Sequence, residues 1–129
     1  MAASDIIKGT VWEDASATCM GRLTTPTGAN ATQSSVSTIT YGVYDLDGTQ
    51  PLIAVTSGTA ATTATLYNAL QTDARWTEDA TGYNFAYTVT PTSLANGEHQ
   101  YRVVFTFTFT TAEVAKALYD LSVKGELRR

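Results

Sequence analysis

Ten residues, Tyr101 to Thr110, alternate large apolar and small polar side chains with a period of two. Tyr101, Val103, Phe105, Phe107 and Phe109 fall on one face, and Arg102, Thr106, Thr108 and Thr110 on the other, with Val104 the one apolar residue out of step. Only an extended strand separates alternate residues in this way, so the segment is a β-strand with one dry face. At roughly 3.3 Å per residue it runs about 33 Å, long enough to form the middle of a sandwich or barrel.

The rest of the chain supports a sheet protein. Its 129 residues fit one domain, predicted to span 1–129 with loose termini at about 1–5 and 125–129. Charged residues make up only 16% of the sequence, against about 25% in an average soluble domain. Threonine, serine and alanine fill the difference. Threonine is β-branched and suits a pleated, half-wet surface, which predicts an outer face lined by hydroxyls in place of charges.

Other strands follow the same logic. Ile6 to Trp12 and Ala15 to Leu23 read as two short strands. Val36 to Leu46 is a third, in which Ile39, Tyr41 and Val43 alternate with Thr38, Thr40 and Gly42. Leu52 to Val55 reads as an edge strand, Thr59 to Leu66 as a weak strand, and Tyr83 to Val89 as a second clean alternation ending at Pro91. Asn96-Gly97 favours a tight reversal, which predicts that the strands at Tyr83 and Tyr101 pair as a hairpin. Tyr67, Leu70 and Ala74 stand at helical spacing, so a turn or short helix is expected between Tyr67 and Ala80, with Trp76 beneath it. Thr110 to Val123 fits both periods; a reversal at Thr111-Ala112-Glu113 and a strand over at least Leu118 to Lys124 would give the long strand a neighbour. Seven to eight strands separated by turns predict an all-β chain, an antiparallel immunoglobulin-like β-sandwich with at most one short helix; a small barrel is the alternative.

Several functions are disfavoured by composition. The net charge is -4, with a pI near 4.7 and no basic cluster before Arg128-Arg129, which argues against nucleic acid as a partner. No 18-residue apolar run and no leader-like N-terminus are present, so neither membrane insertion nor export is expected. Cys19, the single cysteine, cannot close an intrachain disulfide and reads as a small buried apolar residue. Asn30-Ala31-Thr32 matches a glycosylation acceptor, which carries little meaning without a leader.

Catalytic and metal-binding constellations are thin. His99, the only histidine, lies in the polar reversal before Tyr101 and reads as a surface residue in place of a base. One histidine and one cysteine cannot build a closed zinc site. Asp45-Leu46-Asp47-Gly48 has the opening of a calcium loop but lacks the later carboxylates, and an aspartate-capped turn accounts for it. Glu13-Asp14 and Glu78-Asp79 are adjacent pairs, which point to opposite faces of a strand and cannot flank a glycoside together. Gly82, Gly97 and Gly125 stand alone and make no phosphate loop. No catalytic residue, cofactor or metal is therefore expected, and the chain does not read as an enzyme. Trp12, Trp76, Tyr44, Tyr67 and Tyr119 offer the one other candidate set, a stacking platform for sugars if exposed together, and core or edge cover if not.

Tyr41 to Thr49, Trp76 to Thr88 with its Thr81-Gly82-Tyr83-Asn84-Phe85, and Tyr101 to Phe105 resemble small immunoglobulin-like domains of tailed bacteriophage particles, such as baseplate N-terminal domains and capsid decoration proteins. The residues after the last expected strand do not read as the fibre or coiled-coil region of the baseplate pattern, so a tail-fibre role is not expected. The resemblance implies a virion structural protein assembled in the host cytoplasm. Its leading form is a decoration or cement protein that binds the major capsid protein or other virion proteins as a homo-oligomer or symmetric array, with Thr24 to Ser35 and the termini as contact arms. A head-to-tail, tail or baseplate adaptor is the alternative within that class, and a carbohydrate-binding module the alternative outside it.

Overall fold

The computed structural model describes residues 17–49, 53–72, 80–89 and 98–124, and the backbone alone of residues 6–12. Eight strands are present among these: β1 (Ile6–Trp12), β2 (Ala17–Gly21), β3 (Val36–Asp45), β4 (Thr56–Ala60), β5 (Leu66–Gln71), β6 (Tyr83–Val89), β7 (His99–Phe109) and β8 (Val114–Lys124). They form a five-stranded sheet in the order β1-β8-β7-β3-β4 and a three-stranded sheet in the order β2-β6-β5. This is the immunoglobulin-like plan of a β-sandwich, with β7 at the centre of the larger sheet.

β7 supplies more of the core than any other strand. Tyr101, Val103, Phe105, Phe107 and Phe109 are all buried, and every residue between them is partly exposed. Facing them from the smaller sheet is Phe85, whose ring meets Phe105 at 4.9 Å and Phe107 at 5.0 Å, edge to face in both cases. Such tilted contacts place the positive ring edge on the negative face and add to the burial of area. Tyr119 of β8 meets Phe105 at 5.6 Å and donates its hydroxyl to the Met20 carbonyl at 2.8 Å, tying the two sheets together. A Cβ at Gly21 would lie 2.9 Å from that hydroxyl, so the close approach of β2 to β8 depends on the missing side chain.

Pairing differs from the expected hairpin. β6 and β7 belong to different sheets: β7 pairs with β3 and β8, and β6 with β2 and β5. Their apolar faces meet across the core in place of lying side by side. Each strand has two hydrogen-bonded neighbours within its own sheet, and the placement in opposite layers lets their apolar rows cover one another. Not every pair is antiparallel either, because β1 joins β8 in parallel register from Ile6↔Leu118 to Trp12↔Lys124.

Between β4 and β6 the expectations need further correction. Ile53 to Val55 is no strand; the edge strand starts at Thr56. The segment expected as one weak strand, Thr59 to Leu66, is divided by a single helical turn, α1 (Thr62–Thr65), in which the Thr65 hydroxyl bonds back to the Ala61 carbonyl at 2.8 Å. The helical spacing of Tyr67 and Leu70 misled, since both lie in β5. Tyr67 stacks edge to face on Tyr83 at 5.8 Å, and this cross-strand contact outweighs the local spacing. Trp76, Pro91 and Asn96-Gly97 lie outside the described residues, as do Glu13-Asp14, Glu78-Asp79 and the two termini.

At the reversal after β7 the hairpin reading holds, and β8 extends farther than Leu118, from Val114. The Ala112 amide bonds to the Phe109 carbonyl and the Phe109 amide to the Glu113 carbonyl, both at 2.8 Å. Ala112 sits at φ 74°, the left-handed position that a three-residue hairpin loop requires.

Candidate functional site

Among the described residues two clusters of buried polar side chains stand out, and neither was assembled in the sequence reading. The first lies at the end of the sandwich where β3 leaves for β4. Asp45, the last residue of β3, is 4% exposed although it carries a carboxylate. Both its oxygens meet Nδ1 of His99, at 2.8 and 2.9 Å, and Oδ1 also accepts the Asp47 amide at 3.1 Å. Asp47 in turn accepts the Gln100 amide at 2.7 Å, and the Leu46 amide donates to the Gln100 carbonyl at 2.8 Å. The aspartate-capped turn expected at Asp45-Leu46-Asp47-Gly48 is thus present, and it is fastened to the start of β7.

His99 is placed differently from expectation. It is the first residue of β7 rather than a loop residue, and its side chain is half-buried against Asp45. An imidazole oriented by a carboxylate is the geometry of a general base, yet this pair lines a shallow groove of about 530 Å³ with Asp47, Gly48, Thr49, Ile53, Ala54 and Val55. The groove offers one hydroxyl, that of Thr49, and two exposed apolar side chains, Ile53 and Val55. Among the described residues no three histidine, cysteine, aspartate or glutamate side chains converge to hold a metal ion.

The second cluster centres on Asn84, which is 1% exposed. Its Oδ1 accepts the Leu23 amide at 2.6 Å, and its Nδ2 donates to the carbonyls of Leu23 at 2.9 Å and Ala31 at 3.0 Å. One side chain therefore fastens both ends of the loop that follows β2. That loop is further closed by bonds from Thr25 to Ala29 and from Gly28 to Thr25 and by a bridge between Thr24 and Asn30. Beside Asn84, Gly82 adopts φ 110°, where a Cβ would stand 2.5 Å from the Gln71 carbonyl, and its own carbonyl accepts Arg22 Nη1 at 2.8 Å. The loop expected as a contact arm is consequently a held, outward-facing structure, with residues 26–30 exposed.

Cys19 is 2% exposed, and burial pushes its thiol up to about 12, so it is a core residue as the sequence suggested. Nearby, burial followed by the Tyr41 hydroxyl pushes Tyr87 up to about 12, and burial raises Tyr119 as well. The aromatic set does not form one platform. Tyr119 is in the core, Tyr44 is on the outer face of the five-stranded sheet, Tyr67 is on β5, and the side chains of Trp12 and Trp76 are outside the described residues.

The outer face of the larger sheet is the remaining surface of note. Its rows read Thr59, Thr40, Thr106, Lys116; then Ser57, Gly42, Val104, Leu118; then Thr38, Thr108, Val114. Farther along, Arg102 and Asp120 neutralise each other through bonds of 2.7 and 2.9 Å, and that carboxylate raises the guanidinium above its ordinary value. Comparison with family models, with curated proteins and with solved structures gives no match.

Proposed function

We propose that the chain is a structural protein of a virion, most simply a decoration or cement protein that binds the outer shell of a capsid. The observation that carries this reading is the set of threonine rows around Val104 and Leu118, which are partly exposed, with the exposed Val114 in the third row. Lys116 is the one charged side chain in those three rows, and its Nζ rests on the Thr106 hydroxyl at 3.3 Å. Hydroxyls desolvate at far lower cost than ions and can trade water for a partner's carbonyls, so such a face is suited to being covered. In a symmetric array a modest contact of this kind is multiplied by the number of copies. The resemblance of Tyr41 to Thr49, Trp76 to Thr88 and Tyr101 to Phe105 to phage domains supplies the class of partner, the major capsid protein or another virion protein. The polar uses of Asp45, His99 and Asn84, each fastening one chain segment to another, also suit a structural role.

Mixing the purified protein with undecorated shells tests the reading. Co-sedimentation at micromolar concentration is expected, with hundreds of copies per particle; six or twelve copies would indicate an adaptor, and no co-sedimentation would exclude shell binding. A Thr40→Glu, Thr106→Glu double variant should lose binding without a change in its circular dichroism spectrum.

A further inference from the structure

We infer that β4 is a self-pairing edge, through which two copies of this chain join their five-stranded sheets across a two-fold axis at Gly58. This does not rest on the virion reading. Among the described strands β4 ends its sheet, and its register with β3 runs without a bulge from Val43↔Thr56 to Ile39↔Ala60. Edge strands ordinarily carry a charge, a proline or a bulge that stops another chain from adding to them. Lys8 lies in β1, Arg22 follows β2 directly, and β5 is bulged, with six residues spanning the three of β6 from Tyr83 to Phe85. β4 has no such device: its sequence is Thr-Ser-Gly-Thr-Ala, and Ser57, Gly58 and Thr59 are exposed.

The sequence around Gly58 is its own complement, which is what a two-fold contact demands. With Gly58 on the axis, antiparallel pairing sets Ser57 of one copy opposite Thr59 of the other, hydroxyl against hydroxyl, on the same face as Thr40. Val55 then comes opposite Ala61, which is exposed, and Ile53 comes beside α1. Val55 and Ile53, 53% and 58% exposed, are two of the three large apolar side chains left open among the described residues. Pairing would cover both, and no charged side chain meets its own image. A five-residue strand with these two side chains buries less than the roughly 1,200 Å² of a standard interface, so the dimer is of the weak class that arrays exploit. The net charge of -4 opposes it, so added salt should strengthen it.

Analytical ultracentrifugation over a concentration series up to the millimolar range provides the test. The mass of the wild-type chain should rise from 13.8 kDa toward twice that value. A Ser57→Lys, Thr59→Lys variant should stay monomeric at the same concentrations with an unchanged melting temperature, because it places like charges opposite each other. Register is read separately by cross-linking. Ser57→Cys mixed with Thr59→Cys should give a disulfide-linked heterodimer, whereas either variant alone should not, since identical positions are then diagonal neighbours about 7–8 Å apart, too far to bridge. A wild-type chain that remains monomeric throughout, a lysine variant that associates equally well, or same-site cross-links that outpace mixed ones would each overturn the inference.

Discussion

Asn84 holds the loop between β2 and β3 in place, and removing its side chain should be among the costliest single changes outside the aromatic core. Asn84→Ala deletes three hydrogen bonds, to the Leu23 amide and to the carbonyls of Leu23 and Ala31. The Leu23 carbonyl keeps the Ala31 amide at 2.9 Å. The Leu23 amide and the Ala31 carbonyl do not keep the partner they had. Counting the bonds of these two groups at about 1 kcal/mol each, with a further ~1–3 kcal/mol for leaving buried polar groups poorly satisfied, the destabilisation comes to about 3–5 kcal/mol. A domain of this size has roughly 5–15 kcal/mol in total. In urea, with an m-value of about 1–3 kcal/mol/M, the midpoint should fall by about 2 M with m unchanged, and hydrogen exchange should accelerate over residues 23–31. Asn84→Asp sharpens the test. It keeps the acceptor for the Leu23 amide but turns a carboxylate oxygen toward two carbonyls, so its folded pKa is raised. Stability is then fullest below the unfolded value of about 3.9 and declines as pH rises from there to the folded pKa. A midpoint shift under about 0.5 M for Asn84→Ala, or an Asn84→Asp variant that is no more stable at pH 4 than at pH 7, would refute the role assigned to this side chain.

Ala112→Gly should stabilise the chain by up to about 1 kcal/mol, read as a higher melting temperature, because the left-handed φ of 74° penalises a Cβ. Phe105→Ala removes a ring in contact with Phe85, Tyr87 and Tyr119 and should cost about 3–5 kcal/mol in chemical denaturation. At alkaline pH the wild-type chain should weaken from about pH 9 upward, because burial raises the folded pKa of Cys19 from 9.0 to about 12, with Tyr87 and Tyr119 raised from 10.0 in the same sense, and the unfolded chain releases these protons first. In parallel, an alkylating reagent should modify Cys19 only as the chain unfolds, and Cys19→Ala should remove the first part of the alkaline decline, leaving the part above about pH 10 that Tyr87 and Tyr119 contribute.

The central strands were legible because a half-buried strand writes its period directly into the chain. β3, β6 and β7 were located from alternation alone, and Val104 was correctly singled out as the apolar residue on the wet face. What alternation does not encode is the partner of each strand. Tyr83 to Val89 and Tyr101 to Thr110 look like a hairpin because sequence neighbours usually pair, yet here their dry faces need one another across the core. The candidate sites were hidden for a related reason. Asn84 fell on the polar side of its strand by parity and should have been wet, but the Leu23 to Ala31 loop folds back over that side and buries it. The one available signal was an asparagine inside a strand, where that residue is depleted. Asp45 and His99 lie on separate strands of the sheet, and only the register of β3 against β7 brings them together.

The parallel contact of β1 with β8 carries a consequence for how the chain is made. Of the eight described strands β1 leaves the ribosome before the others, but its sheet partner β8 is the last of them to emerge. β3 and β4 can zip as they appear, whereas β7 must wait for β8 to gain its second neighbour. The sheet therefore closes late, when β8 enters between β1 and β7, so a nascent chain arrested before Val114 would hold an unmated first strand and an open edge on β7 for whatever chaperone or sister chain reaches it first.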